Sequence, residues 1–183
     1  MQKQVNNAIF KTTINIGASK PKQIVWYFIN AIIFQTPYFP INSLKTYLLK
    51  AFGANLGQNV LIKPSVNIKY PWKLSVGNHS WIGENVWIDN LAFVHIAENA
   101  CISQGAMLLT GNHNYKQETF DLVTGEIIIE SGVWIGAKSI VCPNITCLSH
   151  AVLAVNSVAV QNLEPYTIYQ GNPAVAIRRR III

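Results

Sequence analysis

No aspartate or glutamate occurs before Glu84, although nine lysines do: Lys3, Lys11, Lys20, Lys22, Lys45, Lys50, Lys63, Lys69 and Lys73. A segment so short of counter-charge attracts anions, so a phosphorylated ligand, a nucleic acid or an anionic membrane surface is the expected class of partner. No DNA- or RNA-reading motif accompanies the lysines, which argues against nucleic acid. Cysteine is scarce as well. Cys101, Cys142 and Cys147 are odd in number in a chain of 183 residues, which is long enough to fold without staples. A disulfide framework is therefore not expected, and a reducing cytoplasm is. No apolar run approaches the roughly 20 residues that cross a bilayer. Met1 to Lys20 also lacks an apolar core followed by a small-residue cleavage site, so no secretory leader is expected.

Apolar residues, in contrast, make up 50% of the chain, enough for one globular body with a sizeable core. Ile24 to Phe34 (IVWYFINAIIF) is interrupted only by Asn30 and closed by Gln35, Thr36 and Pro37, and it reads as a helix packed on that body. Leu44 to Phe52 (LKTYLLKAF) reads as a second helix, with Leu44, Tyr47, Leu48 and Ala51 on one face and Lys45 on another. Aromatic, lysine-rich helices also suit the surface of an anionic membrane, the sharper reading of the pair.

From Leu56 a six-residue period takes over. Aliphatic residues recur at Leu56, Ile62, Ile68, Val76, Ile82, Ile88, Ile96, Ile102, Leu108, Ile129, Ile135, Val141 and Leu153, with the thiol Cys147 filling one place. Small or branched residues follow four places later, among them Val60, Val66, Ser80, Val86, Ala92 and Ala100. A period of six matches neither an amphipathic helix nor an alternating strand. It suits a parallel β-helix, in which each short strand turns one aliphatic residue inward and Gly or Asn supplies the corner. Stacked coils then share one interior, and their ends need caps. Periodicity leaves the handedness open.

The runs IKPSVNIKYPWKLSVG, WIGENVWIDNLAFVHIAENACISQGAMLLTGNHNY and SGVWIGAKSIV, with the ending GNPAVAIRRR, resemble the hexapeptide-repeat acyltransferases. The colanic-acid-biosynthesis acetyltransferases are the most similar subgroup, and the resemblance reaches back to FQTPYFP near the N-terminus. It implies a mainly β fold, a left-handed parallel β-helix, assembled as a homotrimer. An N-terminal helical cap would span 1-53, the catalytic β-helix 54-163 with a protruding loop at 110-127, and a C-terminal extension 164-183. The implied activity is transfer of acetyl from acetyl-CoA to a sugar hydroxyl of an exopolysaccharide or capsule precursor. Such acceptors are commonly lipid-linked, which would suit a protein peripheral on the inner membrane face. N-acetylation of an amino sugar and a non-catalytic trimeric scaffold are the alternatives.

Members of the family release a loop from the coil just after the catalytic histidine, and the matching residue is His113 in GNHNY. A hydroxyl needs a base to take its proton as it attacks a thioester, and imidazole has a suitable pKa. Asp89 and Asn90 match the acceptor side of the family's site, where Asp89 could orient the sugar or the imidazole. Trp134 would line the acetyl or acceptor end. Coenzyme A would run between two subunits past Ala137, Val155 and Gln161, with Arg178 near its phosphates. Val160-Gln161 replaces a Thr-Lys pair frequent in the family, and Val175 replaces an arginine, departures that leave the scaffold reading open.

The other histidines carry weaker expectations. His79 and His150 fall at corners. His95 lies eighteen residues before His113, one coil below it if no insertion intervenes, where it would tune the base. A zinc site built from these histidines lacks a third ligand near His113, so no metal is expected. Cys147 falls in the inward column, where a thiol acts as a small apolar group rather than a nucleophile.

Overall fold

The structure is a computed structural model that describes residues 3–12 and 14–183. From Asn55 onward the chain winds through three parallel sheets in turn, a triangular coil built on the six-residue period. The first sheet stacks Asn55–Leu56, Leu74–Val76, Val94–Ile96, Ile127–Ile129 and Thr146–Cys147. The second stacks Leu61–Ile62, Trp81–Ile82, Cys101–Ile102, Trp134–Ile135 and Val152–Leu153, and the third Asn67–Ile68, Trp87–Asp89, Met107–Leu109, Ile140–Val141 and Val158–Ala159. All fourteen residues of the inward column are buried, and so are the small residues four places on, except Ala92. Ala92 is half-buried because the chain bulges at that corner, between the second and third coils.

The corners divide the work between residue types differently from the sequence expectation. Asn59, His79, Asn85, Asn99, Lys138, Asn144, His150 and Asn156 take the left-handed turn, with φ between 54° and 64°. Asparagine is enriched there because its short polar side chain tolerates that region. Gly57, Gly77, Gly83 and Gly136 do not adopt positive φ. They are needed because the next coil passes too close: a Cβ at Gly77 would lie 2.5 Å from the backbone nitrogen of Glu98.

An open coil end is an unpaired sheet edge, which must be covered. At the start, helix α1 (Lys20–Ile29) runs into a π-helical turn over Asn30–Phe34, and helix α2 (Asn42–Ala51) follows. Together they supply the missing bonds of the first coil. Trp26 Nε1 donates to the Ile68 carbonyl at 2.9 Å, and Asn42 brackets the second sheet by donating to the Val60 carbonyl and accepting from the Ile62 N–H. Lys45 reverses the sequence expectation for α2. It is fully buried while Leu44 and Tyr47 face outward, because its ammonium donates to the Lys63 carbonyl at 2.9 Å on the exposed edge. Leu49, not Leu44, is the apolar anchor.

Burial lowers the pKa of Lys45 below its ordinary 10.5. Between the lowered folded value and 10.5 the unfolded chain binds more protons, so this lysine adds stability as pH rises through that interval. We expect Lys45→Met to lower the unfolding free energy by about 1–2 kcal/mol at neutral pH. The gap should widen toward pH 10, as measured by urea unfolding at several pH values.

At the other end, Thr167–Gly171 adds to the second sheet beside Val152–Leu153, and Ala174–Arg179 folds back antiparallel on it. Arg180 ties this extension down through the carbonyls of Gly132 and His150. Cys147 is completely buried in the inward column, and burial pushes its thiol up to about 12. Thiol titration of the native protein at pH 8 should therefore leave Cys147 unreacted until the chain unfolds. Among the described residues, no helix is long and apolar enough to cross a membrane.

Candidate active site

The corner between the third and first sheets is where the repeat is broken, three times in succession. Tyr70–Lys73 bulges from the first coil, Asn90–Phe93 from the second, and residues 110–126 from the third. Asn90 is fully buried, accepting from the Tyr70 N–H at 2.9 Å and donating to the carbonyls of Tyr70 and Lys73. Its amide thus holds one bulge against the next and is not available to an acceptor. Buried Thr110 does the same for the root of the loop, donating to the Asp89 carbonyl and accepting from the Ala92 N–H.

Beyond Thr110 the excursion is an ordered antiparallel hairpin. Gly111–His113 pairs with Leu122–Thr124, and the Gly125 N–H closes the base on the Thr110 carbonyl at 2.9 Å. His113 is half-buried at the end of the first strand. Its ring stacks on Phe120 with centroids 4.3 Å apart and planes 6° from parallel, and Phe10 of the N-terminal arm lies 6.0 Å away. The Nδ1 atom sits 2.9 Å from the Phe120 carbonyl oxygen. A carbonyl can only accept, so Nδ1 carries a proton, and in the neutral ring it is Nε2 that keeps the lone pair. Phe120 takes the left-handed conformation, with φ 50°, in the turn that presents this carbonyl.

The His113 ring is therefore oriented by a backbone oxygen and not by an acid. Asp89 is engaged elsewhere, in an ion pair of 2.8 Å with Lys69. It lines a cleft of about 410 Å³ between α1 and the third sheet, with Trp87, Tyr70, Asn67 and Tyr27. Nor does His95 lie beneath His113. Its parallel neighbours are Ser75 and Ile128, because the excursion at residues 110–126 leaves the coil before His113 and places that residue in the hairpin instead of the first sheet. His95 stacks on Phe93 instead. His79 and His150 occupy corners as expected, and His150 stacks on Tyr166. Among the described residues, no three metal-ligating side chains are grouped.

The remaining site candidates lie away from this corner. Trp134 projects from the second sheet, the face opposite the hairpin, with Nε1 donating to Ser103 at 2.8 Å. Ala137 and exposed Val155 stand on consecutive coils at the corner between the second and third sheets, where the Asn156 N–H donates to the Ala137 carbonyl at 2.9 Å. Gln161 is exposed after the last strand of the third sheet, and Arg178 is exposed on the C-terminal strand. One chain thus brings Ala137 and Val155 together but not with His113. Sequence reasoning missed Phe120, Phe10 and Thr110, since two act through backbone atoms or stacking and the third through a buried hydroxyl.

No family model matches the chain. Its sequence is 33% identical over 165 residues to the "Putative colanic acid biosynthesis acetyltransferase WcaF" of Escherichia coli K12, covering 90% of this chain and 91% of that one. It is 25% identical over 134 residues to the galactoside O-acetyltransferase of the same strain, covering 72% and 66%. Among solved structures, the hexapeptide-repeat acetyltransferase VCA0836 of Vibrio cholerae superposes with a TM-score of 0.79 at 21% identity, over 89% of this chain and 94% of that one. A galactoside acetyltransferase in complex with coenzyme A gives 0.75 at 19%, over 87% and 80%. With a third of the residues shared along nine tenths of both chains, and a six-residue coil beneath them, the protein belongs to the hexapeptide-repeat acetyltransferases and is an acyltransferase.

Proposed function

We propose that the protein moves acetyl from acetyl-CoA to a hydroxyl of a sugar in an exopolysaccharide or capsule precursor, with His113 as general base. The observation that carries this reading is the bond from His113 Nδ1 to the Phe120 carbonyl, which leaves Nε2 as the proton acceptor. Nε2 takes the hydroxyl proton while the oxygen attacks the thioester carbonyl. Collapse of the tetrahedral intermediate breaks the carbon–sulfur bond, and the imidazolium returns the proton to the departing thiolate. The Phe120 carbonyl stabilises the imidazolium formed between the two transfers.

On this reading the protein works as a homotrimer. The corner carrying Ala137 and Val155 reaches a hairpin only on another copy, so the coenzyme groove would lie between subunits. The relative named for colanic acid biosynthesis supports a polysaccharide precursor as acceptor. Such precursors are commonly lipid-linked, which would bring the protein to a membrane surface. Asp89, in its cleft beside Trp87 and Tyr70, is the acceptor contact on this reading, and Trp134 of a neighbouring copy lines the acetyl end.

The test is acetyl-CoA turnover against mono- and disaccharides, amino sugars and lipid-linked precursors. We expect products whose acetyl group is released by mild alkali, as an ester is. An alkali-stable product would mean N-acetylation.

A further inference from the structure

Helix α1 and the π-helical turn that continues it bury one face on the first coil through Trp26, Asn30 and Phe34. The opposite face is apolar and uncovered. Ile24, Val25, Tyr27, Phe28 and Ile32 are 58%, 50%, 67%, 56% and 68% exposed, and Pro21 and Ala31 complete the stripe. A surface helix ordinarily turns charged or polar residues to water. Here the solvent-facing stripe has none between Lys20 and Gln35. Tyr38, Ile41 and Tyr47, on the connection to α2 and on α2 itself, are exposed as well.

Charge selects the occupant. The first 83 residues carry nine lysines and no acid, and Lys20 stands exposed at the start of the stripe. The first acids in the chain pair with two of these lysines, Asp89 with Lys69 at 2.8 Å and Glu84 with Lys63 at 4.0 Å, and Lys45 and Lys73 are buried; among the described residues this leaves Lys3, Lys11, Lys20, Lys22 and Lys50 uncompensated. Apolar and aromatic side chains among uncompensated lysines match an interface of acyl chains beneath anionic headgroups. Too short to span a bilayer, α1 can only lie along its surface.

We propose that the exposed face of α1 docks the protein on an anionic lipid bilayer. The site is continuous with the cleft that holds Asp89, because Ile24 and Tyr27 border both. A sugar attached to a membrane-embedded lipid would then meet the cleft at the level of its headgroup. This last step rests on the proposed acceptor class, whereas the docking itself does not.

The test is flotation of the full chain with vesicles of phosphatidylcholine containing phosphatidylglycerol, against vesicles of phosphatidylcholine alone, at low and high salt. We expect binding to the anionic vesicles that falls with salt. The exposed pair Phe28→Ser and Ile32→Ser should weaken it by about 30-fold or more, and Lys20→Gln by about fivefold. Both variants should keep the wild-type elution volume and transfer to a water-soluble acceptor. Equal binding to both vesicle types, or variants that float like the wild type, would overturn the proposal. So would a change of oligomeric state in the Phe28→Ser, Ile32→Ser protein, which would make the face a contact between copies. Wild-type protein that floats with the anionic vesicles but transfers no acetyl would count against the catalytic reading alone.

Discussion

Replacing His113 by alanine lowers the rate of acetyl transfer by about 10²- to 10⁴-fold, the range spanned by removal of a positioned general base. Coenzyme A affinity should stay near the wild-type value, because Ala137 and Val155 stand at a different corner of the coil. The structure makes the substitution specific. His113 ends a hairpin strand whose pairing is backbone to backbone, so alanine leaves the Gly111–His113 and Leu122–Thr124 ladder in place. What disappears is the ring held between its stack on Phe120 and its bond to the Phe120 carbonyl. Glutamine at the same position could still donate to that carbonyl but offers no group that both takes and returns a proton near neutral pH. It should therefore be as inactive as alanine. Single-turnover transfer measured beside isothermal titration of coenzyme A separates the two effects. A His113→Ala protein that transfers acetyl at the wild-type rate would remove the base assignment.

The solenoid was legible because its physics repeats: every sixth residue meets the same interior, so one inward column runs through the sequence from Leu56 to Leu153. The break at His113 was legible for the complementary reason, since polar and turn residues cannot continue that column. What escaped was whatever depended on coil length or on backbone atoms. His95 was expected beneath His113 on a step of eighteen residues, yet the coil is left at Thr110, three residues before His113, so the step after His95 runs to Ile128 and His113 falls in the hairpin. The partner that orients the imidazole is a carbonyl, which any residue at position 120 would carry, so residue type could not announce it. Lys45 was assigned to an outward face by helical periodicity alone. It is buried because a coil edge offers a carbonyl that only a donor can satisfy, and amphipathic patterning has no term for that demand.

Gly136→Ala is expected to cost about 3 kcal/mol of unfolding free energy, at the upper end for overpacking a well-packed interior. A Cβ at this position would lie 2.7 Å from the Leu153 carbonyl oxygen and the Val155 nitrogen and 2.8 Å from the Ala154 carbonyl carbon. All three are backbone atoms of the next coil, so no rotamer change relieves the contact. The coils would have to separate, yet their spacing is set near 4.8 Å by ladders in all three sheets at once. Opening one corner strains the bonds from Gly136 N–H to the Leu153 carbonyl and from Asn156 N–H to the Ala137 carbonyl. Those bonds fix Ala137 beside Val155, so coenzyme A affinity should fall along with stability. Gly105→Ala is the internal control. There the added methyl would meet only the flexible Lys138 side chain, at 3.4 Å, and the cost is the left-handed φ of 66°, about 1 kcal/mol. Urea unfolding of the two variants would distinguish them. Equal midpoints would mean that the glycines serve the turn, as the sequence suggested, whereas a much lower midpoint for Gly136→Ala assigns them to the approach of neighbouring coils.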